Sequence, residues 1–452
     1  MFSESILMKL CDYALYVACL FILAGNLFLT FKTRFVQLRL LPSLFKIAGG
    51  MFSKQKEGEH TIRPYKALFT AMSTTLGIGT IVAPVIAIHL GGPGALVGFL
   101  LTAFFGSAAT YVEVTLSVKS RQRLPSGQLM GGPMQYLKHI FSPFAAKWYA
   151  VCCFILMTTW SGAQANQLAA MLDSPLLGTL RIPALISGGV IALIVVLLLI
   201  GGIKRIGAIE AKLIPVKFLL YLGACFFILG SDLPRLGEIL GVIFKSAFSP
   251  YAMASGAVVG GLVSSMRWGI FKGIQCCEAG IGTQTIPHSM AETKDPVAQG
   301  TLAMLSTYAA GFVAFLSGCV SLMTDTWQDP SLPLGMSMVA ASFKMYFASV
   351  GVFAIAACAL VFAFGTILGN GYNGSQAFGY LTQNKRLGYY YAITALMIFI
   401  GSIADAKTVW ALTDIVLACM ALPHMAALVV YMVRQPKEVK PEQENLISDT
   451  LA

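Results

Sequence analysis

Long apolar stretches separated by short polar segments run through most of the 452-residue chain. The hydrocarbon layer of a membrane is about 30 Å thick and needs roughly 20 apolar residues per helix. The pattern therefore predicts an all-α polytopic membrane protein with about 11 transmembrane helices. The predicted spans are residues 10–31, 66–90, 94–118, 147–172, 183–201, 213–230, 264–288, 298–323, 337–368, 388–404 and 408–433.

Composition agrees with this fold class, since 57% of the residues are hydrophobic and only 11% are charged. Soluble domains carry about 25% charged residues, so an ordinary cytosolic enzyme is excluded. All 10 cysteines lie inside or at the ends of apolar stretches, so we expect no disulfide framework. The five histidines lie near predicted helix ends or in loops and show no metal-ligand spacing. No cofactor is expected.

Basic residues cluster in loops on one side of the predicted membrane, so the net charge of +11 does not indicate a nucleic-acid partner. The segment from Lys32 to Lys66 holds eight Lys and Arg and is predicted to be cytoplasmic, because basic loops stay on that side. The N-terminus is then outside and the C-terminus cytoplasmic, in a multi-pass protein of the cell inner (plasma) membrane. The polar tail, residues 434–452, is predicted to be disordered.

Two apolar spans are interrupted in the same way. Residues 74–80 have the sequence TTLGIGT and are followed by Pro84, and residues 276–283 have the sequence CCEAGIGT and are followed by Pro287. Glycine-interrupted helices at matching places in two halves are typical of inverted-repeat transporters, whose substrate site lies at the membrane midplane. The alternative is that these glycines only allow tight helix packing.

Charged residues within the predicted spans are costly and usually functional or paired. Those considered are Glu113, Arg267, Lys272, Glu278 and Asp414. Glu278 lies in the second interruption, six residues after Lys272, so the two are predicted to form a charge-paired gate or to brace the unwound segment. Structural salt bridges are the alternative for the whole set. No second acid, nucleophile–base pair or metal cluster accompanies Glu278, so we expect no enzyme activity.

Several motifs resemble those of the alanine or glycine:cation symporter family, the sodium:alanine symporters. The longest is residues 88–113, IHLGGPGALVGFLLTAFFGSAATYVE, which resembles the family signature around GGPGA and its following glutamate. The others are GGPM at 131–134, AQAN at 163–166, GGIKRIG at 201–207, residues 266–282, FAFGTILG at 362–369, and residues 410–427. The resemblance covers about residues 10 to 433.

The resemblance implies a leucine-transporter-like fold of two inverted five-helix repeats plus one extra N-terminal helix. The predicted divisions are an N-terminal helix with a basic segment (1–65), two repeats (66–232 and 233–433) and the tail (434–452). It also implies sodium-coupled symport of a small neutral amino acid, alanine- or glycine-like, into the cell by alternating access. Alternatives are a different or more polar amino acid with proton coupling or none, and a non-transporting amino-acid sensor.

The ends of an interrupted helix can meet both charges of a zwitterionic amino acid. Free N–H groups favour the carboxylate, and unpaired carbonyls favour cations. In the first interruption, backbone amides are predicted to bind the carboxylate; in the second, carbonyls of residues 275–277 are predicted to bind the ammonium. The residues concerned are Gly77, Gly79 and Thr80 in the first interruption, and Gln275, Cys276, Cys277 and Gly280 in the second.

The resemblance adds Gln164, whose amide faces this region in the family; the alternative is a hydrogen bond between helices. By resemblance, a sodium site lies between the carbonyls of Ser73 and Leu76 and the hydroxyl of Thr366. Thr366 alternatively bonds only its own helix. The family usually has two adjacent hydroxyls there, and Gly365 replaces one of them.

The predicted pocket departs from the family pattern at several positions. Thr80 replaces an asparagine, Gln275-Cys276-Cys277 replaces F-S-N, Asn370 replaces a tryptophan and Ser375 replaces a glutamate. With Gln275 and Asn370 in place of an aromatic wall, we expect a roomier and more polar substrate site. The adjacent cysteines are expected to point in different directions as small apolar fillers.

Overall fold

Apolar helices form nearly all of the structure, because a backbone in hydrocarbon must satisfy its hydrogen bonds internally. The computed structural model describes residues 2–50, 58, 61–123, 129–248 and 264–439. The helices are α1 (Phe2–Lys32), α2 (Val36–Arg39), α3 (Leu41–Gly50), α4 (Pro64–Thr75), α5 (Ile78–Gly91), α6 (Ala95–Ser120), α7 (Pro133–Ile140), α8 (Pro143–Leu172), α9 (Ala184–Leu199), α10 (Gly202–Gly230), α11 (Leu233–Phe248), α12 (Ser264–Cys277), α13 (Thr285–Ser289), α14 (Pro296–Met323), α15 (Met336–Thr382), α16 (Leu387–Ile403) and α17 (Ala406–Arg434). Short 3-10 helices cover Pro175–Leu180, Thr326–Gln328 and Pro436–Val439, and β1 (Gln122–Arg123) pairs antiparallel with β2 (Leu129–Met130).

Several of these helices are long enough to cross a membrane. Among the described residues, seven helical segments have the length and apolar composition of a membrane span, with α4 and α5 counted as one. Helices α9 and α16 are shorter and also apolar. The structure is therefore a multi-pass helical membrane protein, and the number of eleven spans stays a prediction.

Both predicted interruptions are present. Helix α4 ends at Thr75 and α5 begins at Ile78, with Leu76 and Gly77 outside helical geometry. Helix α12 ends at Cys277, and the chain reaches α13 through Glu278, Gly280 and Gly282, which have φ angles of 50°, 81° and 94°. Such positive φ angles cost little for glycine and favour it at the last two positions. The glycines thus explain why an apolar span stops being helical here.

Small residues allow the long helices to approach closely. Helix α6 packs along α14, and α8 packs along α15 and α16. Between α6 and α14, a Cβ atom on Gly311 would lie 2.3 Å from the Cβ of Ala103. Between α8 and α16, a Cβ on Gly401 would lie 2.5 Å from the carbonyl oxygen of Gly162. A larger side chain at either glycine would force the helices apart.

The structure differs from the predicted elements in three places. Helices α2, α3, α7 and α11 lie in segments that the apolar pattern had left as connections. Helix α15 continues to Thr382. Ala348 interrupts it near its start, with φ 50° and ψ −138°. The predicted span 337–368 therefore combined parts of two helical segments. The predicted disordered tail is ordered up to Val439, whose carbonyl accepts a 2.7 Å hydrogen bond from Tyr111. Residues 440–452 lie outside the described chain.

Candidate functional site

A cavity of about 90 Å³ lies between the two interrupted helices, α8, α15 and α17. One water molecule needs about 10–15 Å³ on the same measure, so the cavity has room for a small molecule. Its wall consists of Thr74, Thr75, Gly77, Gly79, Thr80, Val82, Ala83, Ile86, Trp160, Gln164, Lys272, Gln275, Cys276, Glu278, Thr366, Asn370 and Trp410. Polar groups from both halves of the sequence therefore line the same cavity.

Most residues predicted to bind the substrate lie on this wall. They are Gly77, Gly79, Thr80, Gln164, Gln275, Cys276 and Asn370. Cys277 lies elsewhere: its Sγ faces the carbonyl of Thr307 at 3.9 Å, whereas the Sγ of Cys276 faces the carbonyl of Gly79 at 3.7 Å. The two cysteines therefore point in different directions, as expected, and the side chain of only one of them reaches the cavity.

Gly280 also lies away from the cavity. A Cβ at this position would lie 2.2 Å from the Cε of Met425 on α17 and 3.3 Å from the Oδ1 of Asn26 on α1. The glycine is needed for its positive φ and for this close packing. Gly280 was predicted to lie at the substrate site, but it is absent from the cavity wall. The second interruption turns this residue toward α1 and α17.

Gln164 fixes the start of α5 at the first interruption. Its Oε1 accepts a 3.1 Å hydrogen bond from the amide of Ile78, one of the N-terminal amides that lack a partner within the helix. The amide of Thr80 donates to the carbonyl of Gly77 at 3.1 Å, and its hydroxyl donates to the carbonyl of Thr75. Gln164 thus acts on the helix itself as an acceptor, in addition to facing the cavity.

Side chains from three other places occupy the carbonyls of the second interruption. Gln284 Nε2 donates to the carbonyl of Cys277 at 2.6 Å, so a protein donor already uses one of the acceptors predicted for the ammonium. His424 Nδ1 lies 2.8 Å from the carbonyl of Gly280, and Tyr149 donates to the carbonyl of Ile281 at 2.9 Å. His424 lies inside α17, not near a helix end as the sequence had indicated.

Glu278 links the two interrupted helices. Its Oε2 accepts a 3.2 Å hydrogen bond from the hydroxyl of Thr74 on α4 and another from Thr283 in its own segment. The side chain is 2% exposed, so these hydroxyls are what stabilises it in a buried position. The structure therefore differs from the predicted pair with Lys272: the partners of Glu278 are two threonines.

Lys272 belongs to a second polar group on the same wall. Its Nζ donates to Gln275 Oε1 at 3.2 Å and lies 5.6 Å from the centre of the Trp410 ring. Gln275 Nε2 in turn donates to Asp414 Oδ1 at 2.5 Å. These contacts join α12 to α17 at residues that precede Glu278 in α12. They include Lys272 and Asp414, two of the five charged residues singled out from the sequence.

The remaining two charged residues of that set lie off the cavity wall. Glu113 on α6 is completely buried and lies near Glu278 and the amides of Gly280 and Gly282. The guanidinium of Arg267 lies 5.5 Å from the centre of the Trp268 ring. Glu113 is thus placed behind the second interruption and away from the cavity wall.

The three residues predicted for sodium have protein partners. The hydroxyl of Thr366 lies 2.8 Å from the carbonyl of Ser73 and 3.0 Å from the carbonyl of Phe362 in its own helix. The carbonyl of Leu76 accepts a 2.8 Å hydrogen bond from the ammonium of Lys217. The carbonyls of Ser73 and Leu76, which were predicted to coordinate sodium, therefore already accept hydrogen bonds from side chains.

Lys217 and Glu210 are the residues that sequence reasoning missed. Both lie on α10 and are completely buried. A signal was available, since Lys217 falls inside the predicted span 213–230 and Glu210 precedes it by seven residues, on the same face of a helix. Trp160 was also missed, although it precedes Gln164 by one helical turn on α8 and lines the same cavity.

Asn370 is unusual among the wall residues. It is 1% exposed, and within the described part of the chain neither amide atom has a hydrogen-bond partner. A buried amide without a partner is unfavourable by about 1–3 kcal/mol. An amide in this state that lines a cavity is well placed to bond a polar ligand.

Two interrupted helices that line a common cavity within a multi-pass helical fold are typical of secondary transporters. The chain belongs to the sodium:alanine symporter family, whose profile matches residues 2–443. The resemblance noted from the sequence motifs is thereby confirmed.

Named relatives and a solved structure agree with this assignment. The sodium/alanine symporter AgcS of Methanococcus maripaludis is 31% identical over 90% of each chain. The probable sodium/glutamine symporter GlnT of Bacillus subtilis is 29% identical over 90% of this chain and 84% of its own. A Na⁺-coupled sialic acid symporter matches in fold, with a TM-score of 0.53 at 13% identity over 90% of this chain and 82% of its own. The fold is therefore similar to that of a solved transporter.

Proposed function

We propose that this protein imports a small neutral amino acid by alternating access, with the substrate in the cavity between α4–α5 and α12–α13. The observation that carries the proposal is the position of the N-terminus of α5 at the cavity wall. Gln164 stabilises this position by accepting a hydrogen bond from the amide of Ile78. Helix N-termini attract carboxylates, because the helix dipole is positive there. Since the amides of Ile78 and Thr80 already have protein partners, the amides of Gly77 and Gly79 stay as the candidates for the carboxylate. The family supports cation-coupled amino acid transport as the general activity.

The cavity also supports a choice among amino acids. Its volume of about 90 Å³ favours a small substrate. Asn370, with its unpartnered amide, and Gln275 favour a substrate that carries a polar group beyond the backbone. Serine- and glutamine-like side chains could use these groups, and the more polar substrate is therefore the second candidate.

The arrangement in the membrane is part of the same proposal. We propose that α4–α10 and α12–α17 are two inverted repeats, that the N-terminus is outside and that the C-terminus is cytoplasmic. The matched interruptions and the packing of α6 on α14 and α8 on α15 support the repeats. The Lys and Arg clusters support the orientation.

Counterflow in proteoliposomes tests the transport proposal. Vesicles preloaded with one unlabelled amino acid are diluted into trace amounts of the labelled form, for alanine, glycine, serine, glutamine, glutamate and lysine in turn. We expect accumulation of one or more of the four neutral amino acids and none of glutamate or lysine. Sodium, the ion named for the family and both relatives, is the first ion to vary. Sealed vesicles with monodisperse protein that accumulate none of the six would contradict the proposal.

Replacing Asn370 by leucine is expected to change selectivity. The substitution keeps the volume of the side chain nearly constant but removes both hydrogen-bonding atoms. Affinity for serine or glutamine should fall about tenfold, as a lost buried hydrogen bond predicts, while affinity for alanine should stay the same. Competition of each amino acid against a labelled substrate measures this. Asn373→Leu is the matched control, because Asn373 is equally buried on α15 but is absent from the cavity wall. An equal loss for alanine and serine would mean that Asn370 does not contact the substrate side chain.

A further inference from the structure

Lys217 places a positive charge against the first interrupted helix. It lies inside α10, one of the helices long and apolar enough to span a membrane, and is 0% exposed. Its ammonium donates a 2.8 Å hydrogen bond to the carbonyl of Leu76, the residue directly after the end of α4. Charges buried at this depth are rare and usually mark an ion pathway or a binding function.

Two neighbours make this position suitable for a cation. The ammonium lies 5.0 Å from the centre of the Phe362 ring, at cation–π distance. The carboxylate of Glu210 is completely buried, and within the described residues neither of its oxygens has a hydrogen-bond partner. Lys217 therefore supplies the opposite charge that this carboxylate needs in a region of low dielectric.

Gly365 explains how these groups fit. A Cβ at this position would lie 3.1 Å from the Nζ of Lys217 and 3.2 Å from the Oε2 of Glu210. A side chain here would therefore crowd both charged groups, which would have to shift by a few tenths of an ångström. The glycine thus leaves room for the ammonium of Lys217 beside the carboxylate of Glu210.

The ammonium lies where the sequence predicted sodium. The predicted ligands were the carbonyls of Ser73 and Leu76 and the hydroxyl of Thr366; here Thr366 bonds Ser73 and Lys217 bonds Leu76. A sodium ion coordinated by the same carbonyl of Leu76 would lie beside a buried positive charge and would be repelled by it. The arrangement of oxygen ligands in this chain therefore fits the ammonium of Lys217 better than a bound sodium ion.

We propose that the ammonium of Lys217 is a built-in cation that replaces bound sodium at the first interrupted helix, so that substrate binding and uptake by this chain do not require sodium. The inference rests on the proposed transport of an amino acid. Lys217 acts on the substrate through α4 and α5, by holding the carbonyl of Leu76 beside the interruption, and is thus a positioning residue.

The test compares substrate binding and counterflow in sodium chloride and in choline chloride of equal concentration. The probe is the labelled amino acid that accumulates best in wild-type vesicles. For the wild type we expect affinities that agree within about twofold in the two salts. Lys217→Met should bind the substrate about tenfold more weakly in choline, because the carbonyl of Leu76 loses its cationic partner.

Two further variants separate function from folding. Lys212→Met removes an exposed lysine from the same helix and should behave as the wild type in both salts. The double variant Glu210→Gln/Lys217→Met removes both buried charges, so that no unpaired carboxylate is left to unfold the protein. It should be monodisperse, and in choline it should show the same loss of affinity as Lys217→Met.

Each outcome decides between the two proposals. A wild type that binds and transports at least about tenfold better in sodium than in choline would overturn the built-in cation while leaving amino acid transport in place. A double variant that binds the substrate in choline as tightly as the wild type would also overturn the built-in cation. A wild type that accumulates no amino acid in either salt would instead refute the transport proposal itself.

Discussion

Valine in place of Gly79 should abolish amino acid uptake while the protein still folds. A Cβ on Gly79 would meet only the Nε2 of Gln164, at 3.9 Å, which is an ordinary contact distance. The added side chain therefore projects into the cavity of about 90 Å³ and excludes a substrate, with little strain on the surrounding helices. We expect counterflow to fall about hundredfold, in line with the energy of overpacking a filled site.

Two controls make this result specific. Gly79→Ala should cause a smaller loss, because it adds one carbon instead of three. Gly223→Val on α10 should leave uptake unchanged, since nothing lies within 4 Å of a Cβ at Gly223. Full uptake by Gly79→Val would mean that the substrate binds somewhere other than this cavity.

Valine at Gly280 would be a poorer test. That residue has a φ of 81°, and a Cβ would lie 2.2 Å from Met425, so a side chain would disturb backbone and packing together. Loss of uptake in Gly280→Val would then report damage to the contact between the second interruption and α17, not blockage of the substrate site.

Alanine in place of Glu278 should reduce uptake about tenfold or more and lower the apparent melting temperature by a few degrees. The substitution removes two hydrogen bonds to a buried acidic side chain, from Thr74 and from Thr283. Hydrogen bonds to charged groups contribute about 1.5–3 kcal/mol each, and the bond to Thr74 is the one that joins α4 to the second interruption. Both interrupted helices should therefore lose their relative position.

The two bonds can be examined separately. Thr74→Val removes the contact between the helices, together with the 2.9 Å bond from the same hydroxyl to the carbonyl of Ala71 in α4. Thr283→Val removes the contact within the second interruption. If the link between helices is what transport needs, Thr74→Val should impair counterflow more than Thr283→Val at similar thermal stability. Glu238→Ala, at an exposed acidic residue on α11, is the matched control for charge removal. Normal counterflow by Glu278→Ala would exclude a role for this link in transport.

The fold class follows from local properties of the sequence. Apolar stretches of membrane length predicted the helices, because each such helix satisfies its own backbone hydrogen bonds. The glycines at 77, 79, 280 and 282 predicted the two interruptions, because glycine weakens a helix. In the structure Gly280 and Gly282 have positive φ, whereas Gly77 directly precedes α5 with φ −98° and Gly79 lies within α5. The motifs between residues 88 and 427 were enough for the family, which the match to residues 2–443 confirmed.

The rotation of each helix about its axis could not be obtained in this way. A span that is apolar on every side has no polar face to show which residues point inward. The sequence therefore paired Glu278 with its neighbour Lys272, whereas packing joins it to Thr74, which is 204 residues away. It also placed Gly280 at the substrate, although the turn after Glu278 directs that residue toward Met425.

What the sequence by itself determined is that this chain is a helical membrane transporter with two interrupted helices. Only the tertiary structure decided which polar groups meet at those interruptions. The clearest case is Lys217, whose ammonium reaches the carbonyl of Leu76 from a helix 141 residues further along the chain. Nothing local to either residue specifies that contact, because it depends on how α10 packs against α4 and on the space that Gly365 leaves on a third helix. Long-range packing in a low-dielectric interior thus selects the partners of buried charges.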